Sequence, residues 1–117
     1  MMQKIEKWRV EELSLVLNEL VDILKKGNNR EWANVFLHFD SEAQRTFQAE
    51  KFNLDQLRKL LTNIKNCFSG HCSFSQLELW LEDPVEAKIL NQEFSEIKSE
   101  LLRLLEDLEK RIVEFFS

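Results

Sequence analysis

The last third of the chain carries an unbroken stripe of apolar residues at helical spacing. Its members, three, four or seven positions apart, are Leu90, Phe94, Ile97, Leu101, Leu104, Leu108 and Phe115. This pattern is typical of an amphipathic α-helix. Pro84, behind the acidic pair Glu82 and Asp83, fits the first turn of such a helix. About 30 residues at roughly 1.5 Å each extend some 45 Å, so the helix spans the whole domain or presents one end to a partner.

The composition favours an all-α fold. The 117 residues include two Gly, one Pro and no Tyr, which disfavours β-sandwiches, barrels and Gly-rich phosphate-binding folds. A chain of this length forms one domain and buries about two-thirds of its unfolded surface. We therefore predict a single soluble domain over residues 1–117, an all-α bundle of four or five helices. In this bundle the first helix packs against the long C-terminal helix.

The remaining helices follow from apolar spacing and capping residues. The first is predicted from about residue 3 to residue 26, ending at Gly27-Asn28-Asn29. Asn29 caps the second, in which Trp32 packs with Phe36 and Phe39. Asp40-Ser41 predicts a break or a new cap before further helix to about residue 49.

A third helix is predicted between Asn53, as its cap, and a C-terminal end near Cys67. Residues 68–75 read as a loop. The segment 77–81 has no clear assignment, and Trp80 within it fits a core position or an interface anchor about equally well.

Metal and catalytic sites are not indicated. Cys67, His71 and Cys72 form the one cluster of suitable side chains, but structural zinc normally takes four ligands, and His38 would have to come from another helix. A cysteine hydrolase also needs an oriented base and an oxyanion hole. We predict no cofactor, no metal and no enzymatic activity, and an enzyme remains an alternative only if His71 and Cys72 border a pocket. Without a secretory signal or membrane span, we expect a cytoplasmic protein.

Charge is distributed unevenly along the chain. The net charge of −5 divides into −2 over residues 1–50, +2 over 51–81 and −5 over 82–117. On a helical wheel the acids of the last helix form a ridge beside its apolar stripe, interrupted by Arg103 and Arg111. This acidic ridge consists of Glu86, Glu93, Glu96, Glu100, Asp107 and Glu114. It is either an ordinary solvated face, with internal pairs such as Asp107–Arg111, or a surface complementary to a basic partner.

Two stretches carry a resemblance to a known family. Residues 27–39 (GNNREWANVFLHF) and 68–79 (FSGHCSFSQLEL) resemble a family of small uncharacterised bacterial helical proteins. Its members have a Trp-Ala pair opening a helix and a later phrase close to FGGMGSFNDL. Phe68, Gly70, Ser73, Phe74 and Leu77 match that phrase. Small acidic helical proteins of this kind resemble the immunity proteins of contact-dependent inhibition and other polymorphic toxin systems.

The resemblance and the charge together imply an immunity protein. It would neutralise a cognate toxin domain, a basic nuclease, by occluding its active site or substrate surface, as a monomer or weak dimer that contacts neither nucleic acid nor membrane. The predicted partner-binding residues are His71, Phe74, Trp80, Glu82, Asp83, Glu86, Glu93, Glu96 and Glu100. The alternative is a homo-oligomeric adaptor whose last helix pairs as a coiled coil through the Leu90–Leu108 stripe.

Overall fold

The computed structural model describes residues 6–50, 53–69 and 73–116. Within these ranges the chain folds into four α-helices and one short 3-10 helix. In order, they are α1 (Lys7–Lys26), α2 (Arg30–Gln48), α3 (Leu54–Asn66), the 3-10 helix (Ser73–Gln76) and α4 (Pro84–Phe116). This is the predicted all-α bundle with a long C-terminal helix. The expected start of α1 near residue 3 and the side chain of Phe115 lie outside the described part.

Helices α1 and α2 form an antiparallel hairpin. The turn between them places Asn28 in the left-handed conformation, with φ 59°, and the Asn29 side chain accepts from the Trp32 backbone N–H at 3.1 Å. The predicted cap at Asn29 is therefore confirmed. At the open end of the hairpin, the Lys7 ammonium donates to the Ala49 carbonyl at 3.4 Å. The two helices thus stay in contact over nearly their full length.

The predicted break at Asp40-Ser41 is wrong, because α2 runs through both residues without interruption. Asp40 is buried, and its carboxylate accepts hydrogen bonds from the Ser14 hydroxyl of α1 and from the Gln44 amide one turn later. A buried polar group needs such partners. An aspartate that resembles a helix cap in sequence therefore serves as a polar contact between the two helices of the hairpin.

Helices α3 and α4 complete the bundle. Asn53 caps α3 by accepting from the Gln56 N–H at 3.1 Å, and Asp83 caps α4 by accepting from the Val85 N–H at 2.9 Å, with Pro84 at the first helical position. Helix α1 packs between α2 and α4, and α3 contacts α2 and α4. The 33 residues of α4 extend about 50 Å along a molecule 54 Å long. Helix α4 therefore spans the whole domain.

The apolar stripe of α4 is the spine of the core. Its members from Leu90 to Leu108 are all buried, packed against the helices of the same chain. A coiled coil between two copies through this stripe would have to displace those intramolecular contacts. The outward-facing side of α4, and not the stripe, is the part available to another molecule.

Candidate partner-binding site

Phe74 lies in the core and not on the partner-binding surface predicted for it. It is fully buried, and its ring centre lies 4.7 Å from Phe36, 4.9 Å from Trp32 and 5.3 Å from Phe68. Phe94 of α4 completes the cluster at 5.7 Å. Aromatic rings at these separations gain edge and offset contacts beyond simple burial. Phe74 thus closes one end of the bundle like a plug.

The 3-10 helix and the irregular chain that follows it, residues 73–83, form a connector along α4. One residue of this connector, Leu79, is buried and its backbone is held by the Asn91 side chain: Leu79 N–H donates to Oδ1 at 2.8 Å and Nδ2 donates to the Leu79 carbonyl at 2.7 Å. The Leu79 side chain lies against the end of α1, where a Cβ added at Gly27 would approach it to 2.8 Å. Glycine therefore allows the end of α1 to touch the connector.

The next residue, Trp80, is turned away from the core. Its side chain is 74% exposed, which is unusual for the largest apolar side chain in proteins. Trp80 therefore occupies a surface position, while Trp32 packs against Phe36 at 6.2 Å as predicted. Of the other predicted partner-binding residues, His71 lies outside the described ranges, as does Cys72.

The acids at the N-terminal end of α4 are exposed. Glu82 and Asp83 precede the helix and Glu86 lies in its first turn. The carboxylate of Asp83 is engaged as the helix cap. Acids here are also favoured by the positive end of the helix dipole, so they have a structural reason for their position.

Further along α4, neither helix capping nor the helix dipole accounts for the positions of the acids. Glu93, Glu96 and Glu100 are all exposed, and they follow one another at three and four residues, which places them on one face. None of them forms an ion pair with any residue in the described ranges. Adjacent like charges at these spacings repel each other by a few tenths of a kcal/mol.

Lys98, two positions from both Glu96 and Glu100, contacts an aromatic ring and not these acids. The Lys98 ammonium lies 4.1 Å from the centre of the Phe94 ring, on the side of the helix that meets the core. Partial burial lowers the pKa of Lys98 by removing water from its charged form. The lysine therefore makes a cation–π contact with Phe94 and forms no ion pair with these acids.

Two apolar side chains on the same outward side were missed by the sequence reading. Val85 is 66% exposed and Ile89 is 55% exposed, one turn apart on α4, and Ile89 leads into Glu93 at the next turn. We call Val85, Ile89, Glu93, Glu96 and Glu100 the outer face of α4. The signal was present in the sequence, since on a helical wheel at about 100° per residue both apolar residues fall outside the Leu90–Leu108 stripe, on the flank that carries the acids.

Two acids of the C-terminal third, Asp107 and Glu109, behave differently, because they pair within the chain. Asp107 accepts from Arg9 of α1 at 3.1 Å and from Arg111 at 3.3 Å, so the predicted Asp107–Arg111 pair is confirmed. Glu109 accepts from Lys65 of α3 at 3.0 Å. Since Asp107 joins helices to one another, the free part of the acidic ridge is shorter than the sequence predicts.

Other features of the described surface do not assemble a reaction centre. A groove of about 250 Å³ between α2 and α3 is lined by three charged side chains, by Leu60 and by neutral polar side chains; the charged ones are Glu42, Arg45 and Lys59. No group of three or more metal-ligating side chains occurs among residues 6–50, 53–69 and 73–116. His38 is exposed and lies 3.0 Å from Glu42 one turn later. Throughout the described helices, no stretch is long and apolar enough to cross a bilayer.

Comparisons with known proteins do not assign the chain to a family. No family model matches it, and neither a curated protein nor a solved structure is significantly similar to it.

Proposed function

We propose that this protein is a bacterial immunity protein that binds and neutralises a cognate toxin domain, a basic nuclease. It would do so by covering the active site or the substrate-binding surface of the toxin. The observation that carries the proposal is the combination of exposed apolar side chains with acids that form no ion pair among the described residues, along the connector and the N-terminal half of α4. Trp80, Val85 and Ile89 supply the first, and Glu93, Glu96 and Glu100 supply the second.

The two kinds of residue have different roles in such an interface. Large apolar side chains lose the most water on binding, and tryptophan is enriched among residues that dominate binding energy. Carboxylates around them attract a basic partner over a distance and accelerate association at low salt. A nuclease must attract phosphates and therefore presents a basic surface. An acidic inhibitor can occupy that surface in place of the nucleic acid.

The first test is co-expression with the C-terminal domain encoded by the gene immediately upstream. If the proposal is right, that domain arrests growth when expressed alone, growth is restored by this protein, and the two co-purify. Absence of both toxicity and a complex would contradict it. An inhibitor acting by occlusion should also inhibit the purified domain at a one-to-one ratio, measured as nucleic-acid cleavage.

A charge-reversal series then tests the outer face of α4. We expect Glu93→Lys, Glu96→Lys and Glu100→Lys together to slow association at least tenfold at low salt and to make it less sensitive to salt. The matched control reverses three exposed acids elsewhere, Glu11, Asp22 and Glu31, giving the same net charge. If both triple variants slowed association equally, net charge and not this surface would be responsible.

A further inference from the structure

Around Leu79, the backbone of the connector pairs with the described residues on one side only. The Asn91 amide binds both the N–H and the carbonyl of Leu79, at 2.8 and 2.7 Å. These two groups of one residue point to the same side when the backbone is extended, as in a strand that exchanges both bonds with its neighbour. The side chain of Asn91 therefore takes the place of a neighbouring strand along this edge, and the connector around Leu79 is extended.

The residues on either side of Leu79 present the opposite edge. In an extended chain the backbone groups of successive residues alternate in direction, so those of Glu78 and Trp80 point away from Asn91. No hydrogen bond of these groups is formed with any residue that the structure describes. Both side chains are also exposed. Two residues thus offer two N–H donors and two carbonyl acceptors at strand spacing on the surface.

An unpaired strand edge is a template for another extended chain. We infer that the partner docks an extended basic segment against Glu78 and Trp80, adding a β-strand to the connector. This inference rests on the proposed function, since it describes how the same partner is held. The Trp80 side chain provides the apolar contact beside the paired backbones, and the backbone bonds fix the register of the added segment.

The charge around this edge decides between possible occupants. Residues 76–87 contain four acids, Glu78, Glu82, Asp83 and Glu86, and no Lys or Arg. A second copy of this chain pairing through the same edge would bring acids against acids, which is unfavourable for directly opposed strands. A segment rich in Lys or Arg gains from the same arrangement. The edge therefore fits a strand of a basic protein.

A proline substitution separates the backbone from the side chain. Glu78→Pro removes the outward N–H at this position, whereas Glu78→Ala removes only the carboxylate and serves as the matched control. We expect the proline variant to bind the upstream-encoded C-terminal domain about tenfold more weakly than the alanine variant, the effect of one lost hydrogen bond. Equal thermal stability of the two variants and an unchanged amide exchange rate at Leu79 would show that the connector remains folded.

Hydrogen exchange measured with the same domain supplies the second readout. We expect the amides of Glu78 and Trp80 to exchange freely in the unbound protein and at least tenfold more slowly in the complex. Leu79, already bonded to Asn91, should be slow in both states. If the complex forms but these two amides are unchanged and the proline and alanine variants bind alike, the added strand is ruled out while the immunity function stands. If no complex forms, the proposed function fails and the added strand fails with it.

Discussion

The two ends of α4 are similarly acidic and differ in what surrounds the acids. Toward the C-terminus, Asp107 binds Arg9 and Arg111, and Glu109 binds Lys65, so the carboxylates tie α4 to α1 and α3. Toward the N-terminus, Glu93 and Glu96 lie on the outer face and form no ion pair with any residue that the structure describes. Acidic composition therefore does not by itself define a binding surface. What distinguishes the two ends is whether the acids have cationic partners within the chain.

The N-terminal end of α4 packs against Phe74 through Phe94. Removing the Phe74 ring should have the largest effect on stability. We expect Phe74→Ala to lower the free energy of unfolding by about 3 to 5 kcal/mol, because it leaves a cavity between four other rings. Urea denaturation measures the loss. Phe68→Ala, at the partly exposed edge of the same cluster, is the control and should cost less. An equal or larger loss for Phe68→Ala would mean that Phe74 is not the centre of this packing.

The second-largest loss of stability is expected where the connector is attached to α4. Asn91→Ala removes both bonds to the Leu79 backbone and leaves its N–H and carbonyl without those partners, so we expect a loss of about 1 to 3 kcal/mol. Thermal or urea unfolding measures it, and amide exchange at Leu79 should accelerate. The neighbouring exposed Gln92 provides the control, since Gln92→Ala should change stability by less than about 0.5 kcal/mol. Unchanged exchange at Leu79 would contradict the contact.

At the C-terminal end, Asp107→Asn tests whether the paired acids stabilise the bundle. The side chain of Arg9 is only 17% exposed, so losing its carboxylate partner should cost about 1 kcal/mol. The loss should shrink as salt is added, because ions screen the pair in the native protein. Glu109→Gln, in a more exposed pair with Lys65, should cost less. An Asp107→Asn variant as stable as the wild type would contradict the proposed difference between the two ends of α4.

The smallest effect on stability is expected on the outer face of α4. Replacing Glu93, Glu96 and Glu100 together by Gln removes repulsion at three- and four-residue spacing, so stability should rise slightly, by no more than about 1 kcal/mol at low salt. Urea unfolding at two salt concentrations measures this. The sign of the stability change decides the outcome. If the triple-Gln variant is more stable than the wild type and Asp107→Asn is less stable, the difference between the two ends of α4 is confirmed. If the triple-Gln variant is less stable than the wild type, the difference is contradicted.

Local signals in the sequence were sufficient for most of the fold. Asn29 and Asn53 cap their helices and Pro84 opens α4 as their positions indicate, because a cap depends on residues only two or three positions away. The stripe of α4 likewise follows from periodicity. Helix boundaries and fold class are therefore readable without knowledge of tertiary contacts.

The errors arose where a distant residue decides the outcome. Asp40 has the sequence signature of a cap, but its hydrogen bond to Ser14 on another helix keeps it inside α2. Phe74 lies in a loop-like stretch, yet rings from three other segments surround it. The pairing of Asn91 with Leu79 has no sequence signature at all. The candidate site combines these contacts, so only its acids and Trp80 were foreseeable.

The hairpin and the plug also differ in how far apart along the chain their contacts lie. Ser14 and Asp40 lie on consecutive helices joined by a short turn. Phe74 is separated along the chain from Trp32 and Phe36 by all of α3. Contacts that close longer loops form later in folding, since they cost more chain entropy. The connector is therefore expected to dock after the hairpin has formed and to detach before the hairpin separates when the native protein opens locally. A partner that binds Trp80 would keep the connector attached to the bundle, and its binding should slow unfolding of the whole domain.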